Sequence, residues 1–113
     1  MKKLFVFTLL LAGIASAAGN ADEGKKLFVR DGCWECHGYA GQGSRDGARI
    51  AATVLTEQAF IRYVRKPTGA MPAFVEKILP DPQLADIYAY VKTLPGPKPV
   101  KDVPLLNQMK NAK

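Results

Sequence analysis

Apolar side chains recur at helical spacing in three stretches of the chain, and no stretch shows the alternation typical of a strand. The longest pattern places apolar residues three and four positions apart, at Leu84, Ile87, Tyr88, Val91 and Leu94. Asp81 can cap this helix, and Pro82 suits its first helical position. Pro95 cannot continue a helix, so we expect the helix to end before it. The pattern predicts an all-α protein.

Two shorter helices are predicted upstream. The first begins after Asn20, a favourable cap, and ends at Gly32, which favours helix termination. Its apolar face comprises Ala21, Gly24, Leu27 and Phe28. The second is predicted over Glu57–Arg65 with Thr56 as its cap. Its apolar face comprises Phe60, Ile61 and Val64.

The first 18 residues have the pattern of a secretory signal peptide. Lys2 and Lys3 precede an apolar run over 4–14, and small residues follow at 15–17. The apolar run is shorter than the roughly 20 residues that a membrane-spanning helix needs. We therefore expect cleavage after residue 17 or 18, export to the periplasm and no stable membrane span afterwards.

The remaining chain is predicted to form one domain over residues 19–94, with a glycine-rich loop at 38–49. Residues 95–113 are rich in proline and lysine, and they form either a disordered end or a strap that packs along the domain or docks on a partner. The chain carries a formal charge of +6 from 16 basic and 10 acidic residues. In an exported protein this charge suits acidic partner surfaces, and nucleic acid is not an expected partner.

The chemistry of the chain lies in Cys33-Trp34-Glu35-Cys36-His37, a C-x-x-C-H motif typical of covalent haem attachment. Two thiols at this spacing can add to the two vinyl groups on one edge of a porphyrin. The histidine that follows directly is then held under the iron, where its imidazole becomes an axial ligand. We expect one haem c, with thioether bonds to Cys33 and Cys36 and iron bound by His37.

Three other uses of the motif compete with haem attachment. A thioredoxin-like C-x-x-C needs a strand and a helix in a mixed α/β fold, and the chain predicts only helices. A structural zinc site needs four ligands, whereas the whole chain has two cysteines and one histidine. A disulfide is compatible with export, but it would close only a tight loop.

The second axial ligand cannot be another histidine of this chain, because His37 is the only one. The other side of the iron then has a methionine, a lysine, a water or nothing. Met71 is the best candidate, since Met1 leaves with the signal peptide and Met109 lies in the polar tail. A thioether is a soft ligand that favours reduced iron, so it predicts a high-potential, low-spin haem. Pro72 would stiffen the loop that carries the sulfur.

Over residues 22–94 the chain resembles the class I, mono-haem cytochrome c family. Gly24 and Phe28 match the glycine and aromatic of that family's first helix, Tyr90 matches the aromatic of its last helix, and Met71-Pro72 is similar to its sixth-ligand loop. The resemblance implies three main helices wrapped around one covalently bound haem. It also implies a close crossing of the first and last helices.

One position departs from that family, which often has Gly-Pro about a dozen residues after the histidine. The proline carbonyl there accepts a hydrogen bond from the ligand imidazole, and this chain has Gly47-Ala48 instead. Because a backbone carbonyl remains, we expect the bond to persist. Tyr63 and Arg65 are either hydrogen-bond donors to a haem propionate or surface residues.

These features predict an electron carrier and not an enzyme. Its expected partners are redox proteins: a dehydrogenase, a terminal oxidase or another cytochrome. The chain is also similar to small cytochromes that accept electrons from exported or membrane-bound dehydrogenases. A monomer and a subunit of a larger complex are both compatible with the sequence. The competing functions are a haem-based gas binder or peroxidase, which needs an open sixth site, and a thiol-disulfide oxidoreductase, which needs free thiols.

Overall fold

The computed structural model describes residues 18–112, so the predicted signal peptide lies outside the described residues except for Ala18. Within 18–112 the chain is helical and contains no strand, which confirms the all-α prediction. Its α-helices are α1 Ala21–Arg30, α2 Cys33–His37, α3 Glu57–Arg65, α4 Asp81–Thr93 and α5 Pro104–Asn111, with a 3-10 turn at Val100–Asp102. No helix among the described residues combines the length and apolar character needed to cross a membrane.

The helix starts follow from local capping. The Asn20 side chain accepts hydrogen bonds from the backbone N–H groups of Asp22 and Glu23 at 3.0 and 3.1 Å, as predicted for α1. The Thr56 hydroxyl accepts one from the N–H of Ala59 at 3.2 Å, as predicted for α3.

The start of α4 differs from the prediction by one residue. The helix begins at Asp81, and Pro80 occupies the cap position that Asp81 was expected to fill. The Asp81 carboxylate instead accepts a hydrogen bond from the guanidinium of Arg65 on α3. A long-range ion pair thus replaces the local cap.

The close approach of α1 and α4 depends on Gly24. A Cβ built on Gly24 would lie 1.9 Å from the backbone oxygen of Asp86 in α4, so only glycine fits at this contact. Phe28 and Tyr90 meet edge to face one turn further along, with ring centroids 5.4 Å apart. The predicted contact between the first and last helices is confirmed.

The core joins α1, α3 and α4 with the segment before α4. Its buried apolar side chains are Leu27, Phe28, Phe60, Val64, Leu79, Leu84, Ile87 and Val91. Six of these residues also line an internal cavity: Phe28, Phe60, Val64, Leu79, Leu84 and Ile87. The helices therefore pack around this cavity and not only against one another.

The tail contains two short helical elements. Residues 100–102 form a 3-10 turn, and α5 follows directly. In the described structure α5 contacts this turn and no other helix, so it does not act as a strap along α1–α4.

Because the tail has so few contacts, we expect a chain that ends after Pro99 to keep the stability of the domain. Changes remote from the core alter the free energy of unfolding by about 0.5 kcal/mol or less. Thermal unfolding of the truncated and full-length holoproteins, followed by haem absorbance, measures this. A clear fall in the melting temperature would show that the tail supports the domain.

Candidate haem-binding site

The C-x-x-C-H motif forms its own one-turn helix, α2, directly after α1. Gly32 separates the two helices in a left-handed conformation, with φ of 72°, which glycine adopts without steric cost. The sequence pattern did not reveal α2, because five residues are too few for an apolar period to appear.

A cavity of about 980 Å³ lies beside α2. It is lined by all four residues predicted to hold haem: Cys33, Cys36, His37 and Met71. The cavity is at the upper end of the range of about 300–1,000 Å³ found for cofactor and ligand pockets. Its size, its apolar walls and its donor set of two thiols, an imidazole and a thioether fit a haem.

The His37 ring is oriented by the loop that follows it. Nδ1 lies 2.6 Å from the backbone oxygen of Ala48. Because a carbonyl only accepts, Nδ1 carries the proton and Nε2 is left with a free lone pair. The expected hydrogen bond therefore persists without the proline, and it leaves the imidazole in the tautomer that binds a metal through Nε2.

The same loop also holds the backbone of α2. The N–H of Gly43 donates to the oxygen of His37 at 2.8 Å, and the Ser44 hydroxyl donates to the oxygen of Cys36 at 2.6 Å. Gly47 passes so close that a Cβ there would lie 2.7 Å from the same Cys36 oxygen. The predictions omitted Ser44, because a lone serine in a glycine-rich loop carries no distinguishing pattern.

The two cysteines form no disulfide. Burial raises the pKa of the Cys33 thiol to about 11, so Cys33 is protonated at neutral pH. Redox-active C-x-x-C pairs work through a cysteine with a lowered pKa, and Cys33 is not such a cysteine. Over residues 18–112, no three side chains among His, Cys, Asp and Glu cluster in a way that could hold a metal ion.

Met71 lies in the segment between α3 and α4. It is half-buried against the core and lines the cavity. The segment is tied back to α3: the N–H of Phe74 donates to the oxygen of Val64 at 3.2 Å, and Arg65 Nη1 donates to the oxygen of Phe74 at 2.8 Å. Met109, in contrast, is 65% exposed on α5.

The two proposed propionate donors have different positions. Tyr63 lines the cavity, and its hydroxyl lies 2.8 Å from the Thr68 hydroxyl, which also lines it. Arg65 is directed away, because its guanidinium binds Phe74 and Asp81. Arg65 is also only 20% exposed, so it is neither at the cavity nor a free surface residue but joins α3 to the segment before α4 and to Asp81.

The residues between the two cysteines point in different directions. Glu35 lines the cavity, while Trp34 packs partly against the core and stacks on Tyr39 with ring centroids 4.4 Å apart. Trp34 therefore packs on the side of α2 that does not line the cavity.

Two comparisons with known proteins identify similar sequences. The sequence model of the family "Cytochrome C oxidase, cbb3-type, subunit III" matches residues 19–91. The chain is 32% identical over 88 residues to the "Cbb3-type cytochrome c oxidase subunit CcoP" of Helicobacter pylori, and the alignment covers 72% of this chain. It covers 29% of that protein, so the chain spans less than a third of the relative's length. No solved structure matches the chain.

The family match extends over most of the described domain and includes α2, the loop that orients His37 and the Met71 segment. The helical fold and the cavity lined by thiols and an imidazole agree with the match. The chain belongs to the cytochrome c oxidase, cbb3-type, subunit III family, and it is a c-type cytochrome that binds haem c covalently.

Proposed function

We propose that this chain is an exported, single-haem electron carrier whose haem is held by four residues. Cys33 and Cys36 would provide the thioether bonds, and His37 and Met71 would bind the iron. The observation that supports this most directly is that all four side chains line one cavity. The hydrogen bond from His37 Nδ1 to Ala48, which leaves Nε2 free, adds to that support.

The bound haem would supply one-electron redox chemistry. The residues of the chain would set the redox potential of the haem and the orientation of its histidine ligand. The thioether of Met71 favours the reduced iron and raises the potential. Much of the cavity lining is apolar, and the Ala48 carbonyl in the loop after α2 keeps the imidazole in one orientation.

We propose that the carrier works in the periplasm and that its partners are redox proteins. A terminal oxidase is the first candidate acceptor, because the relative from Helicobacter pylori is named as an oxidase subunit. A dehydrogenase or another cytochrome is a candidate donor. On this proposal the chain makes and breaks no substrate bond, and it acts either as a free monomer or as a subunit of a complex.

The decisive experiment combines an intact mass with a reduced-minus-oxidised spectrum of protein exported from a haem-attaching host. We expect a mass equal to the chain from residue 18 or 19 plus one haem, with the sharp visible bands of a low-spin c-type cytochrome. A colourless protein with both thiols unmodified would end the proposal.

Two variants separate the roles of the motif. Cys36→Ala is expected to keep at most one thioether bond, and His37→Ala to prevent a normal holoprotein because the proximal ligand is lost. Haem stain after denaturing electrophoresis and the visible spectrum measure these effects. Wild-type haem loading in His37→Ala would show that another group binds the iron.

A rapid spectral change of the reduced wild type with carbon monoxide would favour the gas-binding alternative.

A further inference from the structure

Three arginines line the cavity, and they differ in their ion pairs. Arg30 binds Asp31 through Nε at 2.8 Å, and Arg45 lies 3.6 Å from Asp46. Within residues 18–112, Arg49 forms no ion pair and its guanidinium donates no hydrogen bond to the protein. Arg49 is therefore the arginine of the cavity wall whose charge is not matched within the described chain.

The backbone on both sides of Arg49 is fixed. The preceding residue, Ala48, accepts the hydrogen bond from His37, and the following residue, Ile50, donates its N–H to the oxygen of Gly41 at 2.9 Å. The backbone of Arg49 is thus held near the imidazole, and its side chain is exposed.

Haem brings two propionate carboxylates into a cavity that already contains acidic side chains. Asp31 and Asp46 are paired with arginines, and Glu35 also lines the cavity. A further carboxylate in this partly enclosed space needs a cation, and arginine binds carboxylates with two parallel hydrogen bonds. Arg65 is engaged by Asp81 and cannot fill this role without breaking that pair.

We propose that Arg49 binds a haem propionate and that its charge raises the redox potential. The inference rests on the proposed function, because it requires haem in this cavity. Ferrous haem carries one positive charge fewer than ferric haem. A fixed cation nearby therefore stabilises the ferrous form more than the ferric form.

The test is the midpoint potential of three haem-loaded full-length variants: Arg49→Gln, Arg49→Lys and Arg45→Gln. We expect Arg49→Gln to reduce the equilibrium preference for ferrous haem about tenfold, which is a fall of about 59 mV for a one-electron couple. Arg49→Lys keeps the charge and should recover most of this loss. Arg45→Gln removes the same charge from a paired, exposed arginine at the same cavity and should change the potential much less.

Equal shifts in Arg49→Gln and Arg45→Gln would overturn the inference, as would an unchanged potential in Arg49→Gln. If Arg49→Gln does not retain haem, Arg49→Lys decides. Haem retention in the lysine variant supports the charge role, and haem loss in both variants overturns it in favour of a purely structural role. A colourless wild type refutes the proposed function instead, so the two failures are distinguishable.

Discussion

Met71→Ala is expected to keep the haem covalently attached but to lower its midpoint potential by roughly 0.2 V, within the span of about 0.8 V that axial ligands control. The physical reason is that the thioether binds ferrous iron more strongly than ferric iron, and this preference disappears with the sulfur. Alanine also opens the distal side of the cavity, so we expect the reduced variant to bind carbon monoxide readily. Redox titration and the loss of the Met–iron charge-transfer band of the ferric protein measure the change.

Met109→Ala is the matched control for this prediction. It removes the same side chain from the exposed face of α5, outside the residues that line the cavity. We expect its potential and spectrum to equal those of the wild type. If Met71→Ala keeps the wild-type potential, Met71 is not the sixth ligand.

The second large effect is expected from Gly24→Ala. The new Cβ would lie 1.9 Å from the backbone oxygen of Asp86 and 2.4 Å from its carbonyl carbon, so α1 and α4 must separate. Overpacking of this kind costs about 3 kcal/mol, whereas the higher helix propensity of alanine returns only about 1 kcal/mol. The net loss of about 2 kcal/mol should lower the melting temperature by roughly 8–16 °C in a domain of this size.

Thermal unfolding of the holoprotein measures this loss, and Gly96→Ala provides the control. A Cβ at Gly96 would meet only the Cβ of Ala52, at 3.7 Å, which is ordinary van der Waals contact. We expect that variant to unfold close to the wild-type temperature. Equal melting temperatures for the two variants would mean that the helix crossing tolerates a methyl group at Gly24.

The three longer helices could be predicted because their signals are local. Asn20 and Thr56 cap α1 and α3 as expected, and α3 spans the predicted residues Glu57–Arg65. The apolar period of α4 likewise depends only on neighbouring turns. The four candidate haem-binding residues were predicted from motif chemistry, which also depends on short spacings and on the small number of histidines and methionines.

The features that escaped prediction depend on contacts between distant residues. The local sequence predicts Asp81 as a helix cap, but its carboxylate instead accepts a hydrogen bond from Arg65, sixteen residues earlier. Trp34 sits inside the motif, yet stacking on Tyr39 directs it away from the cavity. α2 is too short to show a period, and α5 lies in a segment whose prolines and lysines were interpreted as an end or strap. The hydrogen bond from Ser44 to Cys36 exists only because the loop folds back over α2.

The acceptor that orients His37 belongs to the main chain, and this has a consequence for how the site tolerates mutation. A backbone carbonyl is present whatever side chain occupies position 48, so other residues there can still accept the hydrogen bond from His37. The adjacent Gly47 has no such latitude, because any Cβ would push the loop away from Cys36. Substitution at Gly47, which does not make the hydrogen bond to His37, is therefore expected to disturb that bond more than substitution at Ala48, which does.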